Sequence, residues 1–217
     1  MTTTFHVAAS AEKNVKPTYG EVRVTIRSEE KVAQESYDKV ALENNDFANK
    51  WRDESIVTQF STLNSMRSYT TQVLVDNEFE LRYVTAVEYL LQFEDFSKLG
   101  EFISTIAGND LYSFLIQWKL SKDVRNSAEA ELRKEVMQNA LRTARDYARG
   151  AGFEAEKLQL VSMSDKPYSS FAPSLTRGKM GVAAAGVNFS NEQTIPEIEP
   201  NDIRVTSSVE AVYSANY

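Results

Sequence analysis

The sequence predicts an α+β fold, with about three helices packed on largely antiparallel sheets. Three observations lead there. Stretches of period-two alternation recur, as in GEVRVTIRS from Gly20 and DIRVTSSVEAVYS from Asp202. Segments of helical period stand between them, the longest rich in alanine. Their order is strands, helix, strands, helix, strand, helix, two strands, without the regular alternation that builds a parallel sheet.

TFHVAAS reads as a first strand, and His6, the only histidine, as a plain strand residue within it. In GEVRVTIRS, Val22, Val24 and Ile26 alternate with Glu21, Arg23, Thr25 and Arg27, the pattern of a half-buried strand. The period then changes. Ala33, Tyr37, Val40, Ala41, Phe47, Ala48 and Trp51 fall at helical spacings, with Glu29 and Glu30 at the electropositive N-terminal end. SIVTQFSTL and MRSYTTQVLV are β-rich, and VDNEFE turns the chain through Asp76 and Asn77. YVTAVEYLLQF puts Tyr83, Val87, Tyr89, Leu91 and Phe93 on one face, and Val84, Ala86 and Leu90 on the other, as a central strand requires.

A short helix follows, with Phe96, Leu99, Ile103 and Ile106 as its buried stripe and Gly108-Asn109 as a left-handed stop. LYSFLIQWKL is the next strand. From about Asn126, with Glu129 in capping position, to Arg149 the pattern is a long helix. Its seam is Ala128, Leu132, Val136, Ala140, Ala144 and Ala148, whose small side chains suit close approach to a sheet. KLQLVSM is a strand. Ser164 to Pro200 holds four of the five prolines and three of the eight glycines and shows little period, so it reads as a long loop. In the last strand Ile203, Val205, Ser207, Val209, Ala211 and Tyr213 share a face.

Composition narrows the chemistry. The formal net charge of −7 sets the whole-protein field against phosphate backbones, and no nucleic-acid partner is expected. With no cysteine and one histidine there is no thiolate nucleophile, zinc-thiolate site or two-histidine metal site. The N-terminal stretch MTTTFHVAASAEKNVKP lacks a basic region followed by an apolar one, so it does not read as a signal peptide. The chain is expected to be cytoplasmic as given, or periplasmic or envelope-associated if a leader was removed. No window approaches the roughly 18 apolar residues that a membrane span needs.

ALRTARDYARGAGF sets Arg142, Arg145 and Arg149 on one helix face before two glycines. Anion cradles open helices, whereas this stretch closes one, so the arginines complement the negative end and Gly150 or Gly152 caps it. The carboxylate groups Glu29/Glu30, Glu94/Asp95 and Glu197/Glu199/Asp202 sit at element ends or in polar runs, where capping and solvation account for them. Glu197, Glu199 and Asp202 are the place to look should a hard cation bind, although the run lacks the glycine and alternating ligands of a calcium loop. GKMGVAAAGVNF, from Gly178, pairs Gly with Lys but lacks the spacing of a phosphate loop; it reads as a subunit contact in preference to a membrane contact, for want of large apolar anchors, with a flexible excursion as the plain alternative. The tyrosines and phenylalanines read almost entirely as core. No catalytic, cofactor-binding or metal-binding residue is assigned.

The alanine-rich helix ending in ARDYARGAGF, then EKLQLVSMSDKP, the long loop, and PEIEPNDIRVTSSVEAVYS resemble the SIMPL-domain family. Upstream, RYVTAVEYLLQFEDFSKLGEFISTIAG and LYSFLIQWKLSKD match its strand, helix and next strand. The resemblance runs from about Gly20 to Tyr213 and is strongest from Tyr83 onward. Pro200-Asn201 stands where the family often has Pro-Gly, and asparagine tolerates the same left-handed turn. Bacterial members commonly carry an export signal. The family brings no agreed catalytic residues.

The expected division is a lead-in strand over 1–19, a SIMPL-like α+β domain over 20–214 with room for two lobes, and the loop 164–200 within it. The expected function is non-enzymatic, acting through protein surfaces as a homo-oligomer or with another protein partner, with no cofactor. The alternative is a small-molecule or glycan-binding module associated with the envelope. A hydrolase with an unconventional carboxylate site is a third reading.

Overall fold

The computed structural model describes residues 2–171, 174–177 and 199–216. The chain divides into two units. One is drawn from residues 1–16, 120–172 and 202–217, the other from 17–119 and 173–201.

The first unit holds β1 (Thr2–Val15), β6 (Gln159–Phe171) and β8 (Ile203–Asn216) in an antiparallel sheet of order β1-β8-β6. The long helix α3 (Lys122–Gly150) packs on it. Ala128, Leu132, Val136, Ala140, Ala144 and Ala148 are all buried, as the spacing predicts. Val136, Ala140 and Ala144 meet Val7 of β1 and Val209, Ala211 and Tyr213 of β8 in one core cluster. Alanine at the contact brings the helix backbone near the sheet, and valine and tyrosine fill the space from the other side.

One detail of α3 differs from expectation. It begins four residues earlier than Asn126, because the Ser121 hydroxyl caps it by accepting from the Val124 N–H. Its end is the glycine cap predicted, at Gly152 rather than Gly150: Gly152 has φ +81°, its N–H bonds the Arg149 carbonyl, and the Phe153 N–H reaches back to Ala148. Arg149 pairs with Asp146 and Glu156, and Arg142 donates to Asn139. The arginine stretch is a helix ending.

The second unit is built on a sheet of order β3-β4-β2-β5-β7. Its strands are β2 (Tyr19–Glu30), β3 (Gln59–Val75), β4 (Glu78–Phe93), β5 (Tyr112–Lys119) and β7 (Ser174–Arg177). Helices α1 (Ala33–Trp51) and α2 (Phe96–Ile106) supply an aromatic core. Phe47 of α1 stacks near Tyr89 with ring centroids 5.1 Å apart, and Phe102 of α2 packs edge-on to Trp51 at 4.8 Å. Gly20 of β2 lets α2 come close: a Cβ there would overlap Leu99 Cδ1 and stand 3.1 Å from the Trp118 ring.

Two phenols at this core are paired. Tyr112 donates to Glu43 at 2.7 Å and Tyr89 to Asn44 at 2.5 Å. Burial raises the pKa of both phenols, and for Tyr112 the Glu43 carboxylate adds to it.

Several sequence expectations shift here. The two β-rich segments before Asp76 are one strand, β3, whose register against β4 slips between Thr62 and Arg67. Such bulges absorb residues without ending a strand. Glu29 and Glu30 belong to the end of β2, and α1 starts after Val32. Gly108 is not left-handed. The chain leaves α2 through Asn109, whose side chain accepts from the Leu111 N–H and whose carbonyl accepts from Tyr112. β6 runs on to Phe171 by pairing with β8, and β7 pairs with β5, so the first part of the expected loop is strand. Backbone pairing needs no apolar period, which is why sequence patterning missed it. Gly178–Phe189 and Glu197 lie outside the described residues.

Candidate functional site

The feature that stands out from this frame is the far end of β3 and β4. Val75 pairs with Glu78, so Asp76 and Asn77 form a two-residue turn, with φ of 50° and 67°. Both values are left-handed, the condition for the tight hairpin turn matched to strand twist. On the inner side of β4, pairing with β2 stops at Glu30 opposite Tyr83. Residues 78–82 of β4 therefore have β3 as their only described strand partner, and β3 is an edge strand. The hairpin projects past its sheet as a two-stranded arm.

Register assigns the arm's faces. Thr85, Tyr83, Leu81 and Phe79 of β4 stand opposite Ser68, Thr70, Gln72 and Leu74 of β3. Thr85 also bonds Ser36 of α1, so this is the face that α1 covers nearer the sheet centre. Beyond the start of α1 the same face turns apolar and uncovered: Leu74 is 59% exposed, Phe79 73% and Leu81 50%. At the arm's root, charges pin the connection before α1. Lys31 reaches Glu80 at 3.2 Å and Arg82 reaches the same carboxylate at 2.6 Å. The Lys31 hydrogen bond, with the Arg82 charge behind it, holds the Glu80 pKa below the ordinary value. Lys39 does the same to Glu30 at 2.6 Å.

Between the first turn of α1 and the arm's root lies an open cleft of about 320 Å³. Its lining is Ala33, Gln34, Tyr37, Ser68, Tyr69, Thr70, Tyr83 and Thr85, none of them charged. Tyr37 and Tyr69 are nearly half exposed, which corrects the assignment of the tyrosines to the core. Ser36, one residue earlier on α1, takes the buried position instead, with its hydroxyl 3.1 Å from the Ser28 carbonyl and 3.1 Å from Thr85 Oγ1. A period count over apolar residues passes over a serine whose polar atom is satisfied inside.

The carboxylates weighed from sequence do not converge. Glu29 pairs with Arg27, Asp95 caps α2 by accepting from the Ser97 N–H, and Glu94, Glu199 and Asp202 are exposed. Among the described residues no three His, Asp or Glu side chains are grouped to hold a metal ion. His6 is exposed on β1 and borders a shallow cleft of about 470 Å³ with Ser162, Ser164 and Glu210. No described helix is long and apolar enough to cross a membrane.

The arm's apolar end escaped the sequence reading, although a signal existed. Leu74 and Phe79 flank the Asp76-Asn77 turn symmetrically, and a turn-flanking apolar pair outside any helix stripe marks an exposed hairpin tip. A family model described as SIMPL, protein of unknown function (DUF541), matches residues 5–213. No curated protein matches the chain.

Proposed function

Because the chain belongs to the SIMPL family, whose function is unknown, its membership brings no reaction with it, and we propose that it acts without catalysis, through protein surfaces, as a homo-oligomer. The observation that carries this reading is the outer edge of β3. Over 17 residues β3 contains no proline and a single charge, Arg67. Among the described residues it pairs only with β4. Edge strands that must stay single are usually protected by lysine, proline or short length. Here one irregular stretch lies between Thr62 and Arg67, and the run from Arg67 to Val75 pairs in unbroken register with β4.

A second copy is the partner that this edge suits. Two β3 strands set antiparallel about a two-fold axis near Thr71 would place Arg67 opposite Val75, so no like charges meet. Leu74, Phe79 and Leu81 would come into the same contact region, where each fully buried side chain is worth about 1.5–3 kcal/mol.

Light scattering on the full chain should then give a multiple of 24.5 kDa at micromolar concentration. Gln72→Lys with Leu74→Lys, both on exposed arm positions, should lower the mass to a single chain while leaving the circular dichroism unchanged. A wild-type mass of one chain overturns assembly. An oligomer that survives both lysines moves the interface away from β3. The loop contact expected at Gly178–Phe189 would then be tested by replacing Tyr168–Thr194 with a short Gly/Ser linker.

A further inference from the structure

We infer that Leu74 of a second copy of this chain closes the cleft between the start of α1 and the root of the arm, and that reciprocal ion pairs between Arg67 and Glu78 set the register. The inference rests on the assembly proposed above and adds which residues meet. Its basis is the row that each residue occupies. In the antiparallel pairing about Thr71, Leu74 of one copy stands opposite the partner's Ser68, just as Val75 stands opposite the partner's Arg67. Within a chain Leu74 is opposite Phe79, Ser68 opposite Thr85, Val75 opposite Glu78 and Arg67 opposite Ala86. Two rows therefore run unbroken across the joint. One reads Phe79, Leu74, then the partner's Ser68 and Thr85. The next, on the other face, reads Glu78, Val75, then the partner's Arg67 and Ala86.

The first row lies on the face that α1 covers, since Thr85 bonds Ser36. Ser68 lines the cleft there together with Ala33, Tyr37, Tyr83 and Thr85. A residue directly opposite Ser68 has its Cβ about 5 Å away, so Leu74 of the second copy enters at the cleft mouth with Phe79 beside it. No lining side chain is charged, and in a single chain Leu74 and Phe79 are mostly exposed. Tyr37 is nearly half exposed as well. Both sides of the contact thus remove apolar surface from water. At about 320 Å³ the cleft is at the small end for a free ligand, and a protruding side chain is a sufficient occupant.

Charge on the second row selects this register. Arg27 and Arg82 hold carboxylates of their own chain at 2.7 and 2.6 Å. Arg67 and Glu78 are exposed and have no ion-pair partner among the described residues. They cannot pair with each other inside one chain: Glu78 and Ala86, the neighbour of Arg67, are eight residues apart along β4, about 27 Å. Across the joint only Val75 stands between them, and the backbones are two strand spacings apart, about 10 Å. An arginine laid along the valine reaches a glutamate at that separation. The two-fold axis makes the pair twice. A slip of two residues would set Arg67 beside Glu80, which Lys31 and Arg82 already occupy, or against the turn at Asn77.

The test is charge exchange in the full chain, with the dissociation constant of the dimer read by sedimentation. Arg67→Glu and Glu78→Arg, both at exposed positions, should each weaken association about tenfold or more, because every dimer then carries two like-charged pairs. The double variant restores opposite charges only between chains, and should return to within about threefold of the wild type. The chain has no cysteine of its own, so single cysteines report contacts directly. Chains with Leu74→Cys co-expressed with chains carrying Ala33→Cys should be linked by a short bismaleimide. Neither variant alone should be linked, because equivalent positions lie about 20 Å or more apart across the axis. With a dimeric wild type, a double variant no tighter than the single ones overturns the inference and leaves assembly standing. A co-expressed pair that gives no link does the same. A wild-type mass of one chain overturns assembly itself, and this inference with it.

Discussion

Thr85 joins two hydroxyls, accepting from buried Ser36 at 3.1 Å and bonding Ser68 at 2.9 Å. Thr85→Val keeps the shape but removes the hydroxyl that accepts from buried Ser36, and should cost about 1–2 kcal/mol in chemical denaturation. Ser68→Ala, at the exposed end, should stay within about 0.5 kcal/mol. Equal losses for the two would show that the buried bond to Ser36 contributes no more than the exposed one to Ser68. Glu80 gives a test in pH. Its folded pKa is depressed by Lys31 first and Arg82 second, so its contribution is complete above the ordinary glutamate value and is lost as pH falls through the lower folded value. Stability should be level from pH 7 to about 5 and decline below that. Glu80→Gln should make the acid decline shallower, and an unchanged acid limb would show that the ion pair contributes nothing.

At the scale of elements, α3 is the strongest case of sequence specifying structure. Ala144 is fully buried against the sheet, so Ala144→Arg should overpack the contact and cost a few kcal/mol, about 1–3 or more. Arg142→Ala, on the exposed face, should change stability by less than about 0.5 kcal/mol. Similar melting losses for both would mean that the seam is misplaced. This seam, the alternation of β2 and β8, and the Asp76-Asn77 turn were legible because burial imposes a period on side chains or a backbone angle on a turn. Ser36, the onset of α3 at Ser121 and the extension of β6 were not. A satisfied buried hydroxyl, a cap one turn upstream and strand pairing by backbone alone leave no apolar period. The candidate site was less legible still. Its tyrosines share the helix and strand spacings of core residues, and only tertiary placement shows which of them the start of α1 leaves uncovered.

For the whole molecule, the absence of cysteine and the single histidine make metal-dependent folding an unfavourable expectation. Dialysis against EDTA should leave the thermal transition where it was. A drop of several degrees would contradict this and direct attention to Glu199 and Asp202. The net charge of −7 should also keep the chain off DNA and anionic vesicles at physiological salt, as a sedimentation assay would show.

The place of β8 between β1 and β6 sets the order in which the protein can be made. Thr2 pairs with Asn216 and Val15 with Ile203, so β1 waits for nearly the whole chain before its partner is synthesised. Residues 17–119 meet no such delay, because β2 to β5 and both shorter helices lie within them. During translation β2 to β5 with α1 and α2 can close early while the alanine seam of α3 remains uncovered until residues 203–216 leave the ribosome. Refolding should accordingly show a slower phase confined to the β1-β8-β6 sheet, where contacts span the greatest sequence separation. A nascent chain stalled before Ile203 is the form that chaperones and proteases would meet.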